Sequence, residues 1–284
     1  MATEITQWIG PDGTATALDV DWSATGRFMP PVAHQEQAAP GQPGSYVYQS
    51  LHGARDFTLP IWVYGNTDTE LRTQLRSLAY QMSPDRGTGR IRVTSPLGDQ
   101  REVWCRYSDG LNLDESAGNA SISSQKAAVV FRAFNPYWWD VASTSRSWMT
   151  GTPPVFFPFF PLRLTASSIS VQATINNNGD VPTWPVFQVT GPATNIELLN
   201  ATTGLQMYFG SLALTAGQTL TVDTRPGIKS LTLQDGSNAF TYLSTDSDLW
   251  PLVVGANAVN LVAAGTTPAT SGLQVTYYQG YLTP

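Results

Sequence analysis

The residues able to do chemistry are few and scattered. The chain holds two histidines, His34 and His52, and one cysteine, Cys105. Nucleophilic catalysis by serine needs a histidine beside an activated hydroxyl. His34 falls in a Pro/Gly-rich stretch, and no G-x-S-x-G elbow occurs. Phosphate-cradling G-x-G-x-x-G and G-x-x-x-x-G-K-[ST] runs are absent, as is H-E-x-x-H. One cysteine and two histidines fall short of a zinc ligand set, and a lone cysteine forms no internal disulfide. Asp19 and Asp21 are spaced to share one side of an extended stretch. Asp246 and Asp248 repeat that spacing in a Ser/Asp/Thr-rich turn, and Asp114-Glu115 lies in a polar loop. A glycosidase needs two carboxyls across a sugar-sized gap, and calcium needs a full loop of oxygen ligands. Acidic residues near turns more often bond their own backbone. The reading is a non-enzyme with no catalytic residue, no metal site and no cofactor.

Aromatic residues are the remaining candidates. Trp184, Trp250 and Tyr277 lie in the second half and could stack a sugar, because a ring face is apolar while a sugar rim is polar. The competing reading of the same residues is core and interface packing. Thr152–Pro161 reads TPPVFFPFFP, whose prolines exclude a helix interior and a central strand. Phe156, Phe157, Phe159 and Phe160 then either pack between two domains along a linker or meet a neighbouring subunit.

The elements that must position these residues are mostly strands. One helix is expected over 69–82, where Leu71, Leu75, Leu78, Ala79 and Met82 draw an apolar stripe. Thr67 and Glu70 form a capping box, and Pro84 ends the run. Phe57, Leu59, Ile61 and Val63 alternate before it; Ile91 and Val93, Val103–Tyr107 and Ala127–Phe134 follow as strands. Pro30–Gly44 reads as a loop. From about residue 163 onward, short apolar runs such as Val186–Val189, Leu220–Val222 and Val259–Val262 alternate with turn residues, the pattern of a β-sandwich. The expectation is a mainly β protein: a first domain, 1–142, with one helix on a sheet, then a sandwich, 143–284, with a linker at 146–162.

Only 13% of the residues are charged, about half the usual share, and the net charge is −6. Buried interfaces are depleted of charge, although a neutral polar β surface has the same composition. Lys126 and Lys229 are the only lysines, and no basic run occurs. Counterion-releasing nucleic-acid binding and attachment to anionic membranes are both disfavoured. Met1–Gln7 lacks the features of a secretory leader, so synthesis in a cytoplasm is expected.

The order of motifs resembles the distal tail proteins of siphophages. Arg55-Asp56-Phe57-Thr58-Leu59-Pro60-Ile61 leads into the helix, and Asn135-Pro136-Tyr137-Trp138 is similar to that family's end of the first domain. Asn177-Asn178-Gly179-Asp180 and Thr183–Gly191 resemble the opening of its second domain; Leu220-Thr221-Val222-Asp223 and Trp250–Val259 resemble later strands. The resemblance implies a ring-forming first domain, a galectin-like or carbohydrate-binding-module-like second domain, and a virion location at the tail tip. It implies a homohexamer joining the tail tube to the tape-measure protein, the tail-associated hub protein and receptor-binding proteins. DNA would pass through without stable binding, repelled by an anionic lumen. In some members the terminal segment, here 273–284, returns to the first domain. The alternative is a carbohydrate-binding module that assists adsorption to the host surface.

Overall fold

A computed structural model describes residues 4–21, 23–112, 120, 121, 123–149 and 168–284. The chain divides into two bodies, Met1–Val141 with Tyr281–Pro284, and Ala142–Gly280. The first body thus reclaims the last four residues, whereas the strand Gly272–Tyr277 stays in the second.

The strands of the first body are β1 (Ile5–Ile9), β2 (Ala15–Val20), β3 (Val32–Ala38), β4 (Ser45–His52), β5 (Arg55–Tyr64), then after helix α1 (Asp68–Met82), β6 (Gly89–Thr94), β7 (Gln100–Gly110), β8 (Ser124–Ala133) and β9 (Trp138–Asp140). Long β7 serves three neighbours, of which β9 joins it only at Arg101↔Asp140 and Glu102↔Trp139. Its first half pairs with β6 and its second half with β8, across a bulge between Tyr107 and Asp109. The antiparallel order β7-β6-β1-β2-β5-β8 therefore closes on itself as a six-stranded barrel, open only where β2 and β5 part. Gly110 ends β7 with φ of 104°, and a Cβ there would fall 2.2 Å from the Ala128 carbonyl, so only glycine fits.

Alternation in β5 fills the barrel: Phe57, Leu59, Ile61 and Val63 point inward and are buried. Trp8 stacks on Phe131 at 4.9 Å, and Phe57 meets Trp138 edge-on at 5.7 Å. β2 and β5 pair only at Asp19↔Trp62 and Val20↔Ile61. Helix α1 covers the resulting seam and buries Leu71, Leu78 and Met82. The Thr67 hydroxyl accepts the Glu70 N–H at 3.2 Å, while the Glu70 carboxylate accepts the Asn66 N–H at 2.8 Å. The expected capping box is present, with its return bond one residue earlier than the usual form.

The second body is a sandwich. Its strands are β10 (Thr144–Met149), β11 (Ser168–Asn177), β12 (Val186–Thr190), β13 (Ala193–Asn200), β14 (Leu205–Leu214), β15 (Thr219–Asp223), β16 (Ser230–Leu233), β17 (Gly255–Ala264) and β18 (Gly272–Tyr277). One sheet runs β10-β18-β12-β15-β16, the other β11-β17-β13-β14. Phe187, Leu220, Val222, Ile196, Leu198 and Trp250 meet between them, and Trp250 sits edge-on to Phe187 at 4.7 Å. Each fully buried side chain of this size contributes about 1.5–3 kcal/mol. Of the expected linker at 146–162, Arg146–Met149 instead pair with β18 as part of β10, and residues 150–162 lie outside the described residues. A final short strand, β19 (Gly280–Tyr281), lies next to β9 in the sheet order.

Candidate assembly surface

β3 and β4 form a two-stranded hairpin in register from Val32↔His52 to Ala38↔Ser45. The expectation of a loop over Pro30–Gly44 is corrected here: Val32–Ala38 is a strand. Its sequence VAHQEQA has no apolar alternation, since no sheet face covers it, and that hid it from pattern reading. Every residue of β3 and β4 is exposed except the half-buried His52. Tyr48 is 71% exposed, Phe28 at the root 69% and Met29 62%. Val32, Tyr46, Val47 and Leu51 are exposed as well.

Polar tips on this arm are tied internally. Tyr46 and Tyr48 hydroxyls donate to Gln42 and Gln37 at 2.7 and 2.9 Å, and Ser45 donates to Glu36 at 2.6 Å. His34 Nδ1 lies 2.8 Å from the Ser50 hydroxyl, so it staples the two strands. The ring faces stay bare. A lone two-stranded hairpin is marginal in water, and contiguous exposed apolar surface marks an interaction site. This arm is built to be covered.

Its root is held by Arg55, which is 1% exposed. The guanidinium donates to the carbonyls of Arg27 at 3.1 Å, of Phe28 and of Leu282 at 3.1 Å. Trp138 Nε1 also donates to the Arg27 carbonyl at 3.1 Å. Burial lowers the Arg55 pKa to about 10, opposed by nearby Tyr137, so it stays cationic at neutral pH. His52 Nδ1 lies 3.0 Å from the Tyr137 hydroxyl on the other side of the root. Arg101 donates to the Thr283 carbonyl at 3.0 Å and lies 3.6 Å over the Tyr281 ring. The chain's last residues and the arm's root therefore hang on the same body.

The residues singled out from sequence are dispersed. Trp250 and Tyr277 are core residues of the sandwich, 0% and 3% exposed, and present no face to a sugar; the stacking expectation is corrected for both. Trp184 is half-buried. Phe156, Phe157, Phe159 and Phe160 lie outside the described residues. Asp21 takes the Lys126 ammonium at 2.6 Å. Asp19 is exposed on the barrel wall, and Asp246 and Asp248 lie between β16 and β17. Among the described residues no group of three or more His, Cys, Asp or Glu could hold a metal ion. Burial pushes the Cys105 thiol up, away from reactive thiolate. The arm was missed, although Tyr46-Val47-Tyr48 beside a Pro/Gly turn and ahead of Leu51 was a readable signal.

A closed barrel with a bare arm and a sandwich with a sealed core define an assembly protein of the all-β kind. Residues 22–131 match a family model described as a phage tail protein RIFT-related domain, and residues 178–281 match one described as the C-terminal domain of a siphovirus-type tail component. The chain belongs to the siphovirus-type tail components, the distal tail proteins of siphophages. It is a structural protein of the phage tail and resides in the virion. The fold is similar to that of the SPP1 Dit protein (gp 19.1), with a TM-score of 0.70 at 15% identity over 98% of this chain and 99% of that one. That protein is described as a hub of the adsorption apparatus of phages infecting Gram-positive hosts. A chain of the phage p2 baseplate, in its activated conformation with strontium, aligns at a TM-score of 0.50 and 8% identity, covering 98% of both chains. No curated protein sequence matches the chain. No helix among the described residues is long and apolar enough to cross a membrane.

Proposed function

We propose that this protein is a non-catalytic hub of the tail tip, in which barrels of six copies close into a ring. The ring joins the tail tube to the tape-measure protein, the tail-associated hub protein and receptor-binding proteins. The observation that carries this reading is the bare β3–β4 arm, whose exposed tyrosines, valines and Leu51 need a partner surface. Family membership supplies the setting in which that partner is another tail protein. Sugar binding by the sandwich loses its main support with the burial of Trp250 and Tyr277.

Light scattering on the purified full chain tests it, alone and mixed with tail-tube protein. The expected mass is that of a hexamer of the 30.7 kDa chain. The triple variant Tyr46→Ser/Tyr48→Ser/Leu51→Ser is expected to stay folded and run as a monomer. Wild-type chain that stays monomeric at high concentration and with tube protein overturns the reading.

A further inference from the structure

Opposite walls of the barrel carry unlike surfaces. In the closed order β7-β6-β1-β2-β5-β8, the β6–β7 wall lies three strands from the β2–β5 wall in either direction. On the outer face of β6–β7, Arg90 stands across from Trp104 and Arg92 across from Glu102. Arg90 stacks on the indole at 4.7 Å, and both arginines grip Glu102, at 2.9 and 2.5 Å. Arg106 extends the same row and is exposed. Trp104 is 48% exposed, on a wall whose inward neighbours Val103 and Cys105 are fully buried. This face is an aromatic knob in a cationic setting, because three arginines meet one carboxylate.

The β2–β5 wall is its counterpart. Where the two strands part, a cleft of about 300 Å³ opens under α1. Leu18, Ile61, Val63 and Leu78 contribute apolar lining, and Asp19 and Gln74 contribute polar groups. No Lys or Arg lines it. Lys126, across from Trp62 on β8, is engaged by Asp21 at 2.6 Å and lies over the Trp62 ring. Asp19 is linked to Tyr64, whose hydroxyl is pushed up first by burial and then by that carboxylate.

We infer that the β6–β7 face of one copy docks into the β2–β5 cleft of the next, with Trp104 entering the cleft and the arginines facing Asp19. The inference rests on the ring reading above and specifies its partner as a second copy. A ring needs two different, complementary patches on each subunit, set so that copies join head to tail. Separate walls of one barrel supply the two patches. Charge complementarity and a half-exposed tryptophan opposite an apolar-floored cleft supply the chemistry: interface centres favour Trp and Arg anchors seated in pockets.

Cross-linking of the full chain separates this from the ring reading. Gln74→Cys and Arg106→Cys place thiols on the cleft rim and on the facing row, both exposed. They sit on opposite walls, so a short bis-maleimide cannot bridge them within one copy, and buried Cys105 stays unreactive. The double variant is expected to give a denaturation-resistant ladder ending at the ring mass, while each single variant gives only single chains. Trp104→Ala is expected to weaken assembly about tenfold or more, as loss of an interface anchor does. A native ring mass without a ladder, or with Trp104→Ala unchanged, overturns the docking while leaving the ring intact. Absence of any ring overturns both.

Discussion

The two bodies leave unequal amounts of aromatic surface in water. In the sandwich, Trp250, Phe187, Phe209 and Tyr277 are all inside. In the barrel body, Trp8, Phe57, Phe131 and Trp138 make an equally tight core, yet Phe28, Tyr46, Tyr48, Trp104 and Phe134 stay largely in water. The sandwich leaves Tyr208, Phe240 and Tyr278 38–40% exposed, whereas the barrel body leaves Phe28, Tyr46, Tyr48 and Phe134 59–71% exposed. Surface that folding leaves bare is surface for association, so the proposed ring contacts are assigned to the first body.

The sharpest way to break that contrast is to cut the cores. Trp250→Ala is expected to destabilise the sandwich by about 3–5 kcal/mol, the usual cost of losing a buried large aromatic. Denaturant unfolding followed by separate probes in each body should show one transition move and the other hold. Tyr48→Ala on the arm is expected to leave both transitions within about 0.5 kcal/mol, as surface substitutions do. An arm variant as costly as Trp250→Ala would mean that the hairpin is part of the core.

Arg55→Ala comes next. It removes a donor from the carbonyls of Arg27, Phe28 and Leu282, of which that of Arg27 keeps the Trp138 Nε1 bond. Leaving buried acceptors without partners costs about 1–3 kcal/mol. Amide hydrogen exchange is expected to speed up locally, around residues 27–29 and 282–283. Faster exchange confined to the sandwich would contradict the placement of Arg55 at the arm's root. Thr67→Ala should cost about 1 kcal/mol through the lost helix cap, read as earlier melting of the barrel body with the sandwich unaffected.

Sequence pattern reached the cores more readily than the surfaces. The helix over 69–82 was legible to one residue because stripe, cap and proline stop agree. β5, β12 and β17 were legible because one face of each is buried, which forces alternation. β3 was not, for the converse reason: with no buried face, nothing constrains its pattern. Trp250 and Tyr277 misled because residue type says that an aromatic ring is present but not which way it points. Asn177 and Asn257 are of a residue type that favours turns, yet both are buried. Asn257 Nδ2 donates to the carbonyls of Val253 and Gly255 at 2.8 and 3.1 Å, and Asn177 Nδ2 to that of Val181 at 2.9 Å. A turn signal gives no information about depth. Barrel closure depends on β7 changing partners midway, a long-range choice that local spacing does not record.

Acid should separate the two bodies in opposite directions, with the smallest effects of the set. In the sandwich, burial works to raise the Asp223 carboxyl. Hydrogen bonds from the Arg225 side chain and backbone outweigh it and hold the group below the ordinary range. A depressed folded value stabilises above the unfolded value, about 3.9, and that stability is lost as pH falls through the lower folded value. In the barrel body, burial raises Asp140, and the opposing Arg101 charge and Tyr281 hydroxyl do not restore it. A raised folded value means that the charged form costs stability, so acidification through that value relieves a penalty, fully so below about 3.9. Urea midpoints of each body, measured from pH 6 to pH 3, are expected to show the difference between wild type and Asp140→Asn closing as pH falls. The advantage of wild type over Asp223→Asn should persist through pH 4 and fade only below it. The same pH trend for both pairs would mean that the two carboxylates share one kind of environment, contrary to their surroundings.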